Sequence, residues 1–150
     1  MNRKIVTIGY ARATQDALVS ALIEAGVEVL ADIRAIASSR RPGFSKTSLA
    51  AAVEEAGIQY RQFKHLGTPK DGREAARKGD RATLRRVYDG QLQLPEAIAQ
   101  MAELHSLAAE QRTCLLCYCE ETAKCHRGLL IAELFDDWQR SDLHPGKSLP

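Results

Sequence analysis

The sequence predicts an α/β fold, in which a mostly parallel sheet is covered on both faces by helices. Short strand-like runs alternate along the chain with segments of helical periodicity, as in repeated βα units. The runs are apolar on both faces, which is typical of strands buried between two layers of helices. Because 150 residues with 45% hydrophobic content can form one core, we expect a single three-layer, Rossmann-like domain over residues 1–142. Residues 143–150 are predicted to form a flexible tail.

The first half of the chain is predicted to hold three strands and two helices. The first strand, residues 5–8, is an apolar run that ends at Gly9. The helix that follows starts from Thr14 as its N-cap and stops before Gly26, and the second helix stops before Gly57. The remaining predicted elements are a strand at 27–33, a basic loop at 38–44, a helix at 45–56 and a strand at 58–63.

The second half begins with a basic segment, residues 64–90. We expect this segment to be an exposed excursion that ends in a helix around Leu84. Pro95 starts a long helix with an apolar stripe, and the most apolar strand covers residues 113–119. The last helix is predicted to carry Trp138 on its apolar side.

Composition excludes several classes of protein. With 27% charged residues among abundant aliphatic side chains, the chain is neither disordered nor of low complexity. No apolar run approaches the ~20 residues needed to span a bilayer, and no signal peptide is evident, so we expect a cytoplasmic protein with no membrane partner. A net charge of +2 is too small to indicate a nucleic-acid partner by itself.

Polar and reactive residues follow the predicted strands. Open parallel sheets bind ligands at the carboxyl ends of their strands, so these residues are expected to gather around a functional pocket. They are Gly9 and Tyr10 after the first strand, Asp32 and Arg34 at the second, His65 after the third, and Cys119 and Glu120 at the fourth.

Cysteines near the last predicted helix indicate thiol chemistry. If Thr122 caps this helix, Cys125 lies in its first turn, where free amides and the helix dipole lower the pKa of a thiol. Cys119 or Cys125 would then be the nucleophile. His126 or Glu120 would transfer protons.

Two other interpretations of these cysteines stay open. Zinc binding would use thiolates and an imidazole, although the spacing lacks the paired knuckles of a structural zinc site. Its ligands would be Cys117, Cys119, Cys125 and His126. Alternatively the cysteines only pack, which is the simplest account of Cys114 and Cys117 within an apolar strand. The sequence names no cofactor, and it does not fix the oligomeric state.

Basic residues could form an anion-binding site. Arg34, Arg40 and Arg127 are candidates for a clamp on a phosphate or carboxylate. Phe44, in the basic loop, could stack on a base. Plainer interpretations stay open as well, because Asp32 and Arg34 could form a structural ion pair and the basic loop could simply be solvated.

Nucleic acid is a weaker alternative partner. The segment 64–90 contains eight Lys and Arg residues, but four acids dilute its charge. We therefore treat a small anionic ligand as the leading expectation for a partner.

Four motifs resemble, in their order, those of a known family. They are Thr7-Ile8-Gly9-Tyr10; Asp32-Ile33-Arg34 followed by Ser39-Arg40 and Phe44; Gly57-Ile58-Gln59-Tyr60 leading to Leu66-Gly67; and Leu116-Cys117 with Cys125-His126-Arg127. The chain resembles the domain of unknown function 488 (DUF488) family of bacterial and archaeal proteins over nearly its whole length. The resemblance implies an α/β fold with a pocket, and it implies no activity, because none is assigned to the family.

Two positions depart from the pattern of that family. The family commonly has His and Ser after the first glycine, where this chain has Tyr10 and Ala11. It also commonly has an acid two residues after the strand cysteine, where this chain has Cys119, with Glu120 beside it. Either Glu120 performs the function of that acid or Cys119 changes the chemistry.

The sequence thus favours an enzyme with a Cys/His/Arg pocket for a small anionic or nucleotide-like substrate. The alternatives are a module that binds a nucleotide or nucleic acid without turnover, and a zinc-binding protein. The predicted catalytic residues are Cys119, Glu120, Cys125 and His126. The predicted substrate-binding residues are Gly9, Tyr10, Asp32, Arg34, Arg40, Phe44 and Arg127.

Overall fold

A computed structural model describes residues 3–145, which form a five-stranded parallel sheet between two layers of helices. The sheet order is β3-β2-β4-β1-β5, and all neighbouring strands run parallel. The predicted α/β class and three-layer arrangement are confirmed. The strands are β1 (Lys4–Gly9), β2 (Val29–Asp32), β3 (Gln59–Gln62), β4 (Thr113–Cys117) and β5 (Gln139–Leu143).

Helices cover both faces of the sheet. Within residues 3–145 they are α1 (Gln15–Glu24), α2 (Lys46–Glu55), α3 (Lys70–Arg77), α4 (Arg81–Leu92), α5 (Pro95–Glu110) and α6 (His126–Leu134). One face is covered by α1 and α2, which bury Leu18 and Leu49. The other is covered by α4, α5 and α6, which bury Tyr88, Leu104 and Leu130. The apolar residues of the strands supply both cores, as their two-sided pattern predicts.

The ends of the first helix follow the sequence signals. The Thr14 side chain accepts a hydrogen bond from the Ala17 amide at 3.1 Å, and this bond satisfies one of the free amides of the first turn. Gly26 follows the helix with a φ of 71°, a left-handed conformation that costs glycine little. These local signals therefore fixed where α1 begins and ends.

The basic segment after β3 is more helical than expected. A short 3₁₀ turn at Lys64–Leu66 leads into α3, which precedes α4 and was not predicted. The buried side of α3 is formed by small residues, Gly72 and Ala75. Small residues add little to hydrophobic periodicity, so the pattern of apolar residues does not reveal this helix.

The end of the chain differs from the prediction in two ways. Helix α6 ends at Leu134, so Trp138 lies beyond it and packs against Phe135 with ring centroids 4.7 Å apart. Residues 139–143 then form β5, which pairs with β1 although its own sequence is polar. The strand ends one residue past the predicted domain boundary, and residues 146–150 of the predicted tail lie outside the described residues.

No helix within residues 3–145 combines the length and the apolar character needed to cross a bilayer.

Candidate active site

The carboxyl ends of three strands meet at one edge of the sheet. Gly9 at the end of β1 pairs with Cys117 at the end of β4, and Asp32 of β2 pairs with Leu116. The backbone after β4 crosses close to β1, because a Cβ on Gly9 would lie 1.8 Å from the carbonyl oxygen of Cys119. Glycine at this position therefore allows the loop that carries Cys119 to lie across the edge.

A cleft of about 810 Å³ opens at this edge. Its volume is in the range of sites for small-molecule ligands. None of the described residues that line it is Asp or Glu. Its reactive and charged groups come from Cys117, Cys119, Cys125, His126, Arg34, Arg40, Arg73 and Arg77.

Two buried thiols meet beside the cleft. Cys117 ends β4, and Cys125 is the N-cap residue of α6, yet their Sγ atoms lie 3.0 Å apart. A 3₁₀ turn at Thr122–Lys124 brings the chain back toward α6. A Cβ on Gly128 would lie 2.3 Å from the Thr122 carbonyl oxygen, so this turn packs tightly on the start of the helix.

This arrangement corrects three predictions. The apolar strand ends at Cys117, so Cys119 lies in the following loop. Thr122 starts the 3₁₀ turn and does not cap the helix, and Cys125 precedes the first turn of α6 instead of lying within it. Hydrogen bonds from the Cys125 thiol to Cys117 and Cys119, together with burial, raise the pKa of Cys125 well above that of a free thiol. The acidic thiol is therefore a different one.

Cys119 is the sulfur that is poised to ionise. The neighbouring Cys117 and Cys125 thiols, together with the positive charge of Arg127, hold the pKa of Cys119 well below its usual range. Burial raises the pKa of Cys117 to about 12. Because Cys119 is half-buried while the other two thiols are buried, the negative charge of the cluster falls on its most accessible sulfur.

His126 presents a free nitrogen to the thiols. Its Nε2 lies 2.9 Å from the Ile33 carbonyl oxygen, which can only accept a hydrogen bond, so Nε2 carries the proton. Its Nδ1 lies 3.4 Å from the Cys125 Sγ. Burial lowers the pKa of His126, which favours the neutral imidazole. The neutral ring therefore presents Nδ1 to the Cys125 thiol as a hydrogen-bond acceptor.

Arg127 lies beneath the loop and is 1% exposed. Its Nη2 donates to the carbonyl oxygens of Cys119, at 2.8 Å, and Glu120, at 3.3 Å. Its Nε and Nη1 atoms are buried without a hydrogen-bond partner. The guanidinium therefore orders the loop and places a desolvated positive charge near the thiolate.

A second network, centred on Asp32 and Arg34, is structural. The two side chains form paired hydrogen bonds of 2.8 and 2.7 Å, and both are buried. Arg34 Nη1 also donates to the Phe44 carbonyl oxygen at 2.7 Å and to the Tyr10 hydroxyl at 3.2 Å. The Tyr60 hydroxyl donates to Asp32. Arg34 therefore connects β2 to two loops, and most of its donors are engaged within the protein.

The chain matches a known family model. A model described as a domain of unknown function, DUF488, matches residues 14–134. The chain belongs to the DUF488 family. The matched residues run from the N-cap of α1 to the last residue of α6, so they include every thiol and arginine of the site just described. No curated protein and no solved structure matches this DUF488 chain.

The structure brings only part of the predicted DUF488 site to the cleft. The lining includes Tyr10, Arg34, Arg40, Cys119, Cys125 and His126. Gly9, Asp32, Phe44, Glu120 and Arg127 are not among the lining residues. Phe44 is buried and stacks on Tyr10 with ring centroids 4.6 Å apart, so its ring packs within the protein. Glu120 pairs with Arg12 at 3.4 Å.

Several lining residues were not predicted as site residues. Arg73 and Arg77 come from α3, and Tyr118 exposes 54% of its surface beside Cys119. Cys117 was interpreted as core, and it is buried, but it also belongs to the thiol cluster. Arg73 and Arg77 are four positions apart in the sequence. This spacing places two side chains on the same face of a helix, but it is informative only where a helix is predicted, and α3 was not predicted.

Proposed function

We propose that this DUF488 protein is a cysteine-dependent enzyme that acts on a small anionic or nucleotide-like substrate in the cleft. The observation that supports it best is the thiol cluster, in which the Cys117 and Cys125 sulfurs lie 3.0 Å apart and Cys119 is the accessible sulfur of the cleft. A thiolate, unlike a thiol, is nucleophilic at neutral pH. The arrangement therefore suits Cys119 as the nucleophile.

Arginines would bind the anionic part of the substrate. Arg40, Arg73 and Arg77 line the cleft with no acidic residue among its described lining. Arg73 Nη1 donates to the Thr68 carbonyl oxygen at 2.8 Å, which orients its guanidinium. Because Arg34 is committed to Asp32 and Arg127 lies outside the cleft, we assign the clamp to the other three arginines.

Protons would move through the buried partners of Cys119. When the Cys119 thiolate forms a bond to an electrophilic atom, the bond from that atom to its leaving group breaks and the leaving group takes the proton of the Cys125 thiol. His126 Nδ1, 3.4 Å from the Cys125 Sγ, can then pass a proton from water back to Cys125. Glu120 is the other predicted proton carrier. Its ion pair with Arg12 makes it less suited to this role than His126.

Site-resolved alkylation tests the nucleophile. We expect the rate at which Cys119 reacts with iodoacetamide to reach half its maximum well below pH ~8.5, which is the pKa of a free thiol. This pH is called the alkylation midpoint. Cys114, which is buried, serves as the internal control and should stay unmodified. Cys119→Ser should remove the reactive site. A Cys119 midpoint near that of free cysteine would refute the assignment.

The charge of the alkylating reagent tests the anion site. An anion-binding cleft should raise the rate with iodoacetate relative to neutral iodoacetamide, when both rates are compared with those of free cysteine. We expect Arg40→Gln/Arg77→Gln to remove this preference. Arg3→Gln/Arg112→Gln, at the opposite edge of the sheet, also removes two positive charges; it is the matched control and should keep the preference. An unchanged preference in the double variant would exclude the arginine clamp.

Metal binding is a second candidate function, and one observation favours it. The ligand atoms of Cys117, Cys125 and His126 lie within 4.8 Å of one another. Two thiolates and an imidazole are a known set of catalytic zinc ligands, and the His126 Nε2 bond to Ile33 is typical of metal-bound histidine. Stoichiometric zinc in protein purified without chelator, lost in Cys125→Ser, would favour this function over the thiol mechanism.

A further inference from the structure

A chain of cavities continues from the cleft along the basic segment. A cavity of about 380 Å³ adjoins the cleft, and a third of about 290 Å³ adjoins the second. Leu84 lines all three cavities. Arg77 is shared by the cleft and the second cavity, and Arg81 by the second and third. The three cavities therefore lie next to one another around Leu84, and together they are called the groove here.

The groove is basic throughout. Beyond the cleft, its charged lining residues are Arg77, Arg81, Arg85, Lys124 and Arg140, and no Asp or Glu is among the described residues that line it. Lys124 pairs with Glu121 and Arg140 with Asp142, each at 3.4 Å. Within residues 3–145, by contrast, no ion pair involves Arg77, Arg81 or Arg85. These three exposed arginines are the groove's available charges.

The arginines recur at a regular interval. Arg73, Arg77, Arg81 and Arg85 are each four residues apart, the first two on α3 and the last two on α4. Within each of these two helices, the Cβ atoms of residues at this interval stand roughly 5–6 Å apart. The two helices are separated by a turn at Gly79, which has a φ of 76°. Several arginines distributed along two successive helices suit a ligand whose negative charges also recur along its length. A single small anion would engage only one or two of them.

The mouth of the cleft offers an apolar surface. Tyr118 exposes 54% of its surface, and its ring packs edge-on against Tyr10 with centroids 5.4 Å apart. Ile36, also a lining residue, exposes 56%. An exposed aromatic ring beside a basic track is the combination that binds single-stranded nucleic acid, because bases stack on the ring while phosphates follow the charges. An acidic peptide would use only the charges.

We infer that the groove binds single-stranded nucleic acid, with one terminal nucleotide entering the cleft and the following phosphates lying along Arg77, Arg81 and Arg85. The inference rests on the proposed function only in taking the cleft as the active site, and it names the substrate class of that site. The salt bridges of Lys124 and Arg140 make these two residues weaker contributors.

Fluorescence anisotropy with a labelled single-stranded oligonucleotide of about ten nucleotides tests the inference, since nucleic-acid sites of this kind span roughly 4–16 nucleotides. Affinity should fall steeply with salt, and Arg81→Gln/Arg85→Gln should reduce the slope of log K against log salt by about 1.4, or about 0.7 for each lost phosphate contact. Tyr118→Ala should weaken binding roughly fivefold or more at constant salt.

A matched double variant controls for net charge. Lys78→Gln/Arg86→Gln removes two positive charges from exposed positions of the same segment that line none of the three cavities, so its salt slope should equal that of the wild type. Equal slopes for the groove variant and this control would overturn the inference. Equal binding of a decaglutamate peptide would also overturn it, in favour of an acidic protein partner.

Measuring Cys119 alkylation on the same samples separates this inference from the proposed function. Arg81→Gln/Arg85→Gln should weaken oligonucleotide binding and reduce its salt slope while Cys119 keeps its low alkylation midpoint. If the wild-type protein binds the oligonucleotide but its Cys119 is alkylated with a midpoint near that of free cysteine, only the thiol mechanism is refuted. If wild-type Cys119 has the low midpoint but the protein shows no salt-dependent binding of the oligonucleotide, only the nucleic-acid inference is refuted.

Discussion

The Nε2 atom of His126 lies 2.9 Å from the carbonyl oxygen of Ile33, although 93 residues separate the two in the chain. This bond joins the start of α6 to the end of β2. It fixes which ring nitrogen carries the proton, and it leaves Nδ1 facing Cys125. One backbone carbonyl group therefore sets the tautomer of the imidazole that contacts the thiol cluster.

Burial of His126 should make stability depend on pH. Burial lowers the pKa of its imidazole in the folded state, so the unfolded chain binds the proton more readily. The contribution to stability is therefore complete above pH ~6.5 and is lost as the pH falls below that value. Urea titrations between about pH 5 and 8 should show this loss in the wild type. The loss should shrink in His126→Gln, and an identical pH dependence in both proteins would contradict the assignment.

The charge of Arg127 should contribute to the reactivity of Cys119. Arg127→Met removes the cation and leaves the Cys119 and Glu120 carbonyl groups without their donor. We expect the midpoint of Cys119 alkylation to move up toward pH ~8.5. Arg127→Lys retains the charge and should lie closer to the wild type. If both variants fold and have the same alkylation midpoint, the charge of Arg127 does not affect Cys119, and Arg127 only orders the loop.

Gly9 should tolerate no side chain. In Gly9→Ala the new Cβ would lie 1.8 Å from the Cys119 carbonyl oxygen, so either β1 or the loop must move. We expect a loss of about 1–3 kcal/mol in the free energy of unfolding, measured by urea titration, together with slower Cys119 alkylation. Gly90→Ala is the control, because Gly90 lies within α4 with open space around it. It should stabilise the protein by about 0.5–1 kcal/mol.

The buried Asp32–Arg34 pair should be essential for stability. Asp32→Asn leaves the Arg34 guanidinium buried without its carboxylate and should cost about 3–5 kcal/mol. The half-exposed pair of Arg61 and Glu103 provides the comparison, and Glu103→Gln should cost less than about 1 kcal/mol. Denaturant midpoints measure both changes. Equal costs would show that burial does not govern the first pair.

The sequence by itself determined the α/β class, the first four strands and most helices along the chain, and it predicted the edge of the sheet at which we propose the site. Each depends on a local signal that neighbouring residues carry, such as the β-branched run before Gly9 or the Thr14 cap of α1. Two-sided apolar strands also required a helical layer on each face. Of the Cys125-His126-Arg127 motif, Cys125 and His126 line the cleft at that edge and Arg127 does not.

The tertiary structure alone decided which residues share the cleft and what each can do. The separation of 3.0 Å between the Cys117 and Cys125 sulfurs follows from packing of the 3₁₀ turn on α6, and no sequence spacing encodes it. The same is true of α3, whose buried side is made of small residues. Arg34 and Arg127 are identical in chemistry to Arg40, yet burial commits both of them to partners within the protein. Burial and long-range contacts determine these hydrogen bonds and pKa values, and they arise between residues that are far apart in the chain.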